Sequence, residues 1–246
     1  MKMACPWLAV DEPSSGIRRF RLNRPEKRNA LSDDLVEALI LGVAEAEADR
    51  VSVIVLEGSG PNFSAGFDFS GLDQMTDADL VLRFVRLEML FQRLQSASAV
   101  TVGFAHGQNF GAGVDLFGAC RHRIASVDAR FRMPGLQFGV VLGTRRFARI
   151  VGDHTAYRIL ESSETFDATQ AHAMGFVTEL ASLEAWPDVC TRLAQRARVL
   201  DHSARTALVN ATLAGSADND LADLVRSVAA PGLKARIRAY LDAQAR

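Results

Sequence analysis

The stretch VTVGFAHGQNFGAGVDLFGAC, Val100 to Cys120, decides how this chain folds. It opens on Val100 to Ala105, a short apolar run that suits a buried strand. A polar turn follows at His106-Gly107-Gln108-Asn109. Gly111-Ala112-Gly113 then opens an apolar segment, Val114 to Cys120, that reads as a buried helix. The first N–H groups of a helix have no intrahelical partner. Three small residues leave them open to an anion or a polarised carbonyl. Asp115 falls in the first turn, in apolar surroundings. An acid beside free N–H donors is a catalytic arrangement. The alternative is that the small residues only allow tight packing and that Asp115 caps its own helix.

Upstream, Trp7 to Asp11 and Ile17 to Leu22 alternate apolar and polar residues around Pro13-Ser14-Ser15-Gly16, which predicts a hairpin. Ser32 is a good N-cap, with Asp33 and Asp34 behind it and Leu35, Leu39, Val43 and Ala46 at helical spacing. Val51 to Leu56 is a continuous apolar run, as in a strand buried on both faces. Gly58 to Gly71 is a glycine-rich loop at that strand's carboxyl end, where α/β proteins place ligands. It matches neither a dinucleotide fingerprint nor a P-loop. Leu80 to Leu94 is a long amphipathic helix starting near Asp77 or Asp79. Downstream, Arg123 to Ser126 and Ala129 to Met133 read as strands. Pro134 to Thr144 reads as a loop, and Arg145 to Val151 and Thr155 to Leu160 as helices. Asp167 can cap Ala168 to Met174, with Gly175 as the stop. Phe176 to Leu180 reads as a last strand. Four helices then follow, from Leu183 to Ala243. Strands alternate with helices to about residue 180, so the class is α/β with a helical tail.

The 246 residues suffice for a large core without disulfides or metal. A formal net charge of −1 gives no global field for nucleic acid or an anionic membrane. Cys5, Cys120 and Cys190 are too scattered for a disulfide framework or a metal knuckle. No His/Cys/Asp cluster has metal spacing, so no metal is expected. The N-terminus MKMACPWLAVDEPSSG lacks the long apolar core of a signal peptide. No run approaches membrane-spanning length, and the default location is the cytoplasm.

Four segments carry a family resemblance. Leu22-Asn23-Arg24-Pro25-Glu26-Lys27-Arg28-Asn29-Ala30-Leu31 resembles the N-terminal signature of the enoyl-CoA hydratase/isomerase (crotonase) family. Phe63-Ser64-Ala65-Gly66-Phe67-Asp68 with Leu72, His106-Gly107 through Gly111-Ala112-Gly113-Val114-Asp115-Leu116, and Phe166-Asp167-Ala168 through Ala173-Met174-Gly175-Phe176-Val177 resemble its later motifs, in order. The resemblance implies a crotonase-like spiral of ββα turns over residues 1–181. It implies a helical region over 182–246 that builds a homotrimer or homohexamer. It further implies an acyl-CoA substrate and no permanently bound cofactor; coenzyme A enters as part of the thioester. Carried over residue by residue, the backbone N–H groups of Phe67 and Ala112 would hold a thioester enolate oxygen. Lys27 and Arg28 would lie near the phosphates. The loop Lys27 to Ala30, with Ala65 and Asp68, would line the adenine and pantetheine path.

The chain departs from the family where hydratases carry two carboxylates. Asp115 falls at the first acid position, where hydratases have glutamate. The second position is Gly135, in Met133-Pro134-Gly135-Leu136, and has no side chain. Two-carboxylate hydration cannot run unchanged, and a lone acid suits proton shuttling better. Hydration with the second acid supplied elsewhere, thioester or C–C bond hydrolysis, and a thioester-binding member without turnover are the alternatives. Arg145 and Arg146 bring charge toward the expected acyl end, where one could pair with a substrate carboxylate; a solvent-facing or subunit-contact role is the alternative. His106 and Asp128 read as turn residues, His122 as a C-terminal helix cap, and His154 as a helix-start residue. Ser64 has no nearby base. Phe67, Phe69, Phe110, Phe117 and Phe138 suggest an apolar lining or an ordinary core. The basic segment Leu233 to Arg238 suits packing or the ligand entrance.

Overall fold

The computed structural model describes residues 5–213 and 217–245, so Met1 to Ala4 of the N-terminal stretch lie outside the described residues. In chain order the elements begin with β1 (Leu8–Ser14), β2 (Ile17–Leu22), α1 (Asp33–Ala48), β3 (Val53–Gly58), α2 (Asp77–Ser96) and β4 (Val100–Ala105). They continue with β5 (Gln108–Phe110), α3 (Ala112–Gly118), β6 (His122–Ala125), β7 (Arg130–Arg132), α4 (Thr144–Val151) and α5 (Asp153–Ser162). The last are β8 (Phe166–Asp167), α6 (Ala168–Ala173), β9 (Glu179–Leu180), α7 (Trp186–Ala197), α8 (His202–Leu213), α9 (Ala217–Val228) and α10 (Leu233–Gln244).

Two sheets stand in spiral relation. The larger has the order β1-β2-β3-β4-β6-β9, parallel except for the β1/β2 hairpin. The smaller has the order β5-β7-β8. Successive turns place one strand in each sheet: β4 then β5, and β6 then β7. The Gly58–Gly71 loop joins the same scheme through a parallel bridge from Ser64 to Asn109.

The continuous apolar run in β3 has the expected cause. Ile54 and Leu56 enter the main core, while Val53 and Val55 enter a second one with Val102, Phe104 and Ile124. Trp186, Val189 and Leu193 of α7 cover that second core, and Trp186 stacks on Phe104 at 4.8 Å. A sheet sandwiched this way leaves no face for polar residues. On the other side, α9 and α10 return to the main core through Leu224, Val228, Leu233 and Ile237.

Three local expectations change. His106–Asn109 is only partly a turn: Gln108 to Phe110 is extended, because its backbone pairs in parallel with Arg130 to Arg132. Phe176 to Leu180 is a strand only at Glu179–Leu180. Phe176 turns instead into an aromatic cluster with Phe117, Phe131, Phe147 and Phe166. Ser32 starts α1 in extended geometry but makes no side-chain cap bond, whereas Thr76 and Asp79 close a full capping box on α2.

Candidate active site

Two loops at the carboxyl ends of β2 and β3 build one wall. Arg28 and Asn29 both adopt left-handed backbone, at φ 51° and 53°. Such conformations are uncommon for non-glycine residues and need support from their surroundings. Asn29 supplies it: its buried amide donates to Ser59 O (2.8 Å) and Asn62 O (2.9 Å), and its oxygen accepts from Arg24 N (2.9 Å). Ser64 Oγ donates to Asn29 O (2.8 Å) and accepts from Gly66 N (3.2 Å). Ser64 is therefore a strut between the loops. Asp68 pairs with Arg24 and accepts from Ser70 N at 2.9 Å. Burial pushes its carboxyl up, but Ser70 and Arg24 outweigh this and hold it below the usual range.

The central stretch builds the facing wall. Gly111 N donates to Arg132 O (2.8 Å) and Phe110 N to Ser64 O (3.1 Å), which seats the start of α3 between β7 and the loop after β3. Gly66, at φ 85°, lies so close that a Cβ there would stand 2.3 Å from Phe110 O and 3.0 Å from Ala112 N. The backbone leading into Phe67 thus abuts Ala112. Leu31 N donates to Gly66 O and Asp68 N to Leu31 O, a pattern that leaves the Phe67 N–H out of the bridge. Among the described residues neither Phe67 N nor Ala112 N donates to a protein acceptor. Two unused N–H donors where these walls meet are the kind of group that can hold a developing oxyanion.

Asp115 stands three residues beyond Ala112 and is 5% exposed. It does not cap its helix: Gly111 occupies the cap position, and Asp115 Oδ1 is buried without a hydrogen-bond partner. Burial raises its pKa well above the usual carboxylate range; Arg146 lowers it and Glu88 raises it further. Room for the carboxyl comes from Gly143, at φ 64°, where a Cβ would stand 1.8 Å from Asp115 Oδ1.

These walls enclose a cavity of about 440 Å³. Its lining includes Lys27, Arg28, Ala30, Ala65, Phe67, Asp68, Ala112 and Asp115, so the eight residues carried over from the family resemblance border the same space. Lys27 and Arg28 are exposed. Gly135 also lines it and contributes only backbone. Phe67, Phe69, Phe110 and Phe138 line it as well, but Phe117 does not: it packs in the aromatic core.

Arg145 and Arg146 are corrected by the structure. Arg145 pairs with Asp220 and Asp223. Arg146 is 2% exposed and holds Glu88 at 2.7 Å. Neither lines the cavity, because the acids of α2 and α9 claim both charges. His122 is the first residue of β6 rather than a helix cap, and burial pulls its pKa down. His106 bonds Gly60 O at 2.8 Å and Asp128 accepts from Gly107 N, both as turn braces.

Sequence reasoning missed Phe84, Arg132, Thr144 and Tyr240 of the lining, and the Glu88–Arg146 pair beneath it. Glu88 had a signal: it interrupts the buried stripe Phe84, Leu87, Phe91 of α2. Its carboxyl is raised by burial, against the pull of Arg146. Glu88→Gln is expected to destabilise the protein by about 3–5 kcal/mol, because Arg146 keeps its charge in a dry site. Combining it with Arg146→Met should recover most of the loss. Urea unfolding midpoints of the single and double variants check this.

A model of the enoyl-CoA hydratase/isomerase family matches residues 12–229. The 2,3-dehydroadipyl-CoA hydratase of Escherichia coli is 32% identical over 197 residues, covering 76% of each chain. Enoyl-CoA hydratase domain-containing protein 3, mitochondrial, of Danio rerio is 31% identical over 193 residues, 77% of this chain and 67% of that one. A crystal structure from Bordetella parapertussis, assigned as an enoyl-CoA hydratase/isomerase, superposes with TM-score 0.94 at 50% identity, covering 96% of this chain and 98% of that one. Fold, motif order and these likenesses agree, and the chain belongs to the enoyl-CoA hydratase/isomerase family.

Proposed function

We propose that this family member acts on acyl-CoA thioesters by moving a proton along an enolate, with Asp115 as the single acid/base. The thioester oxygen accepts from the N–H groups of Phe67 and Ala112. Asp115 takes a proton from C2 of a 3-enoyl thioester, and the C–H electrons pass to the carbonyl oxygen as a dienolate. Collapse of the dienolate brings the double bond into conjugation, and C4 takes the proton back from Asp115. Each donor in such a hole is worth about 2.7–4 kcal/mol. Burial makes Asp115 a stronger base than an exposed aspartate and lets it hold the proton between steps.

One observation carries this reading. Glu26, Asp68 and Asp115 are the carboxylates that line the cavity. Glu26 is exposed and Asp68 is bound to Arg24; Asp115 alone is buried and unpartnered. Lys27 and Arg28 receive the coenzyme A phosphates, and Lys27 to Ala30 with Ala65 and Asp68 flank the adenine and pantetheine. Asp68 acts there by holding the loop through Arg24. Gly135 also supports a second reading, a thioester-binding member without turnover.

A short 3-enoyl-CoA separates the outcomes. Growth of conjugated-enoyl ultraviolet absorbance is the expected result. Loss of absorbance from a trans-2-enoyl-CoA alone would replace isomerisation by hydration, and release of free thiol would replace it by hydrolysis. Binding without change in any of the three would make the protein a non-catalytic member. Assembly as a homotrimer or homohexamer belongs to the same proposal. It is supported by the exposed apolar side chains of Val199 and Leu208, at 80% and 53%, and is read by light scattering.

A further inference from the structure

Arg132 is the last residue of β7. Its neighbour Phe131 is fully buried in the aromatic core, so the pleat turns Arg132 the other way, to the cavity it lines. Its carbonyl is tied to Gly111 N, one residue before the Ala112 donor. Its Nε donates to Ser163 O at 3.1 Å, which pins the stem at the end of α5.

Its two terminal nitrogens donate to nothing among the described residues, and it has no ion pair there. The other arginines set into the protein's interior each hold a carboxylate or cap backbone carbonyls. Arg146 holds Glu88; Arg24 and Arg83 hold Asp68 and Asp33. Arg121 and Arg205 each cap three carbonyls. Arg132 is therefore a half-buried guanidinium with its fork free, beside Met133, Leu160 and Tyr240 in an otherwise apolar part of the lining. Its charge is felt across that space: burial raises the Tyr240 phenol, and Arg132 pulls it back. A planar fork with no counter-ion, partly shielded from water, matches a carboxylate in a bidentate pair.

We propose that Arg132 binds a carboxylate carried at the far end of the substrate's acyl group, so that the preferred substrates are thioesters of dicarboxylic acids. The inference rests on the reading of this cavity as an acyl-CoA site. Coenzyme A's own phosphates are the other source of an anion, but Lys27 and Arg28 are the exposed cations that suit them.

The test compares adipyl-CoA, hexanoyl-CoA and free coenzyme A by titration calorimetry against the wild type, Arg132→Gln and Arg132→Lys. The wild type is expected to bind adipyl-CoA at least tenfold more tightly than hexanoyl-CoA. Arg132→Gln should remove that preference while leaving hexanoyl-CoA and coenzyme A within about twofold, and Arg132→Lys should keep part of it. Equal affinity for the two thioesters in the wild type overturns the proposal. So does an equal loss for all three ligands in Arg132→Gln, which assigns Arg132 to a phosphate. Binding of none of the three by the wild type overturns the acyl-CoA reading itself. Melting temperatures of both variants within a few degrees of wild type show that the comparison is between folded proteins.

Discussion

Asp115→Asn is expected to lower turnover by about 100- to 10,000-fold, the range that a positioned acid/base contributes, while thioester affinity stays close to wild type. The same substitution should stabilise the protein at neutral pH. The sign follows from the direction of the shift. The folded state holds the Asp115 proton more tightly than the unfolded chain, so between the unfolded value of about 4 and the higher folded value it binds more protons. Stability therefore falls as pH rises through that window. Asparagine does not titrate, so its advantage is near zero below about pH 4 and grows as the pH climbs. Its plateau is on the order of 1–3 kcal/mol, the cost of burying an unsatisfied polar group. Denaturant melts across pH, paired with initial rates, check both halves. An aspartate that is neither needed for turnover nor costly to bury would sink the assignment.

Gly66→Ala is expected to be nearly as damaging by a different route. Alanine at φ 85° is strained, and its Cβ meets the backbone at Phe110 O and Ala112 N rather than a side chain that could swing aside. Gly66 precedes one proposed donor and abuts the other, so relief of the clash pushes Phe67 and Ala112 apart. A fall in kcat of about 100- to 1,000-fold is expected, the scale of one lost oxyanion donor, with stability reduced by about 1–3 kcal/mol. Gly152→Ala is the control. It has a similar φ, at 86°, but nothing within 4 Å of its Cβ. It should show a comparable stability loss with kcat intact.

The parts of this protein written in local pattern were legible without coordinates. The strand at Val100, the doubly buried run of β3 and the capped start of α6 depend on neighbours a few residues away. The eight site residues carried over from the family resemblance come from three separate segments. Only the order of motifs, matched to a family, could bring them together on the page. What stayed hidden depends on distant charges. Arg146 finds Glu88 at 58 positions' separation and Arg145 finds Asp223 at 78, so cations expected at the substrate are held by distant acids. Arg132 lay in plain view, but its freedom is visible only once the other buried and half-buried arginines have been assigned partners. Gly143 likewise reads as a loop glycine until the Asp115 carboxyl is found where its side chain would be.

The solitude of Asp115 also bears on isotopic bookkeeping. Among the described residues no group bonds the Asp115 carboxyl, whose Oδ1 is buried without a hydrogen-bond partner, so in the proposed shuttle the proton lifted from C2 returns to C4 from the same carboxyl. Deuterium placed at C2 of a 3-enoyl thioester should therefore reappear at C4 of the same molecule, with little washed out to solvent. Both transfers should use the same face of the chain, because one carboxyl performs both.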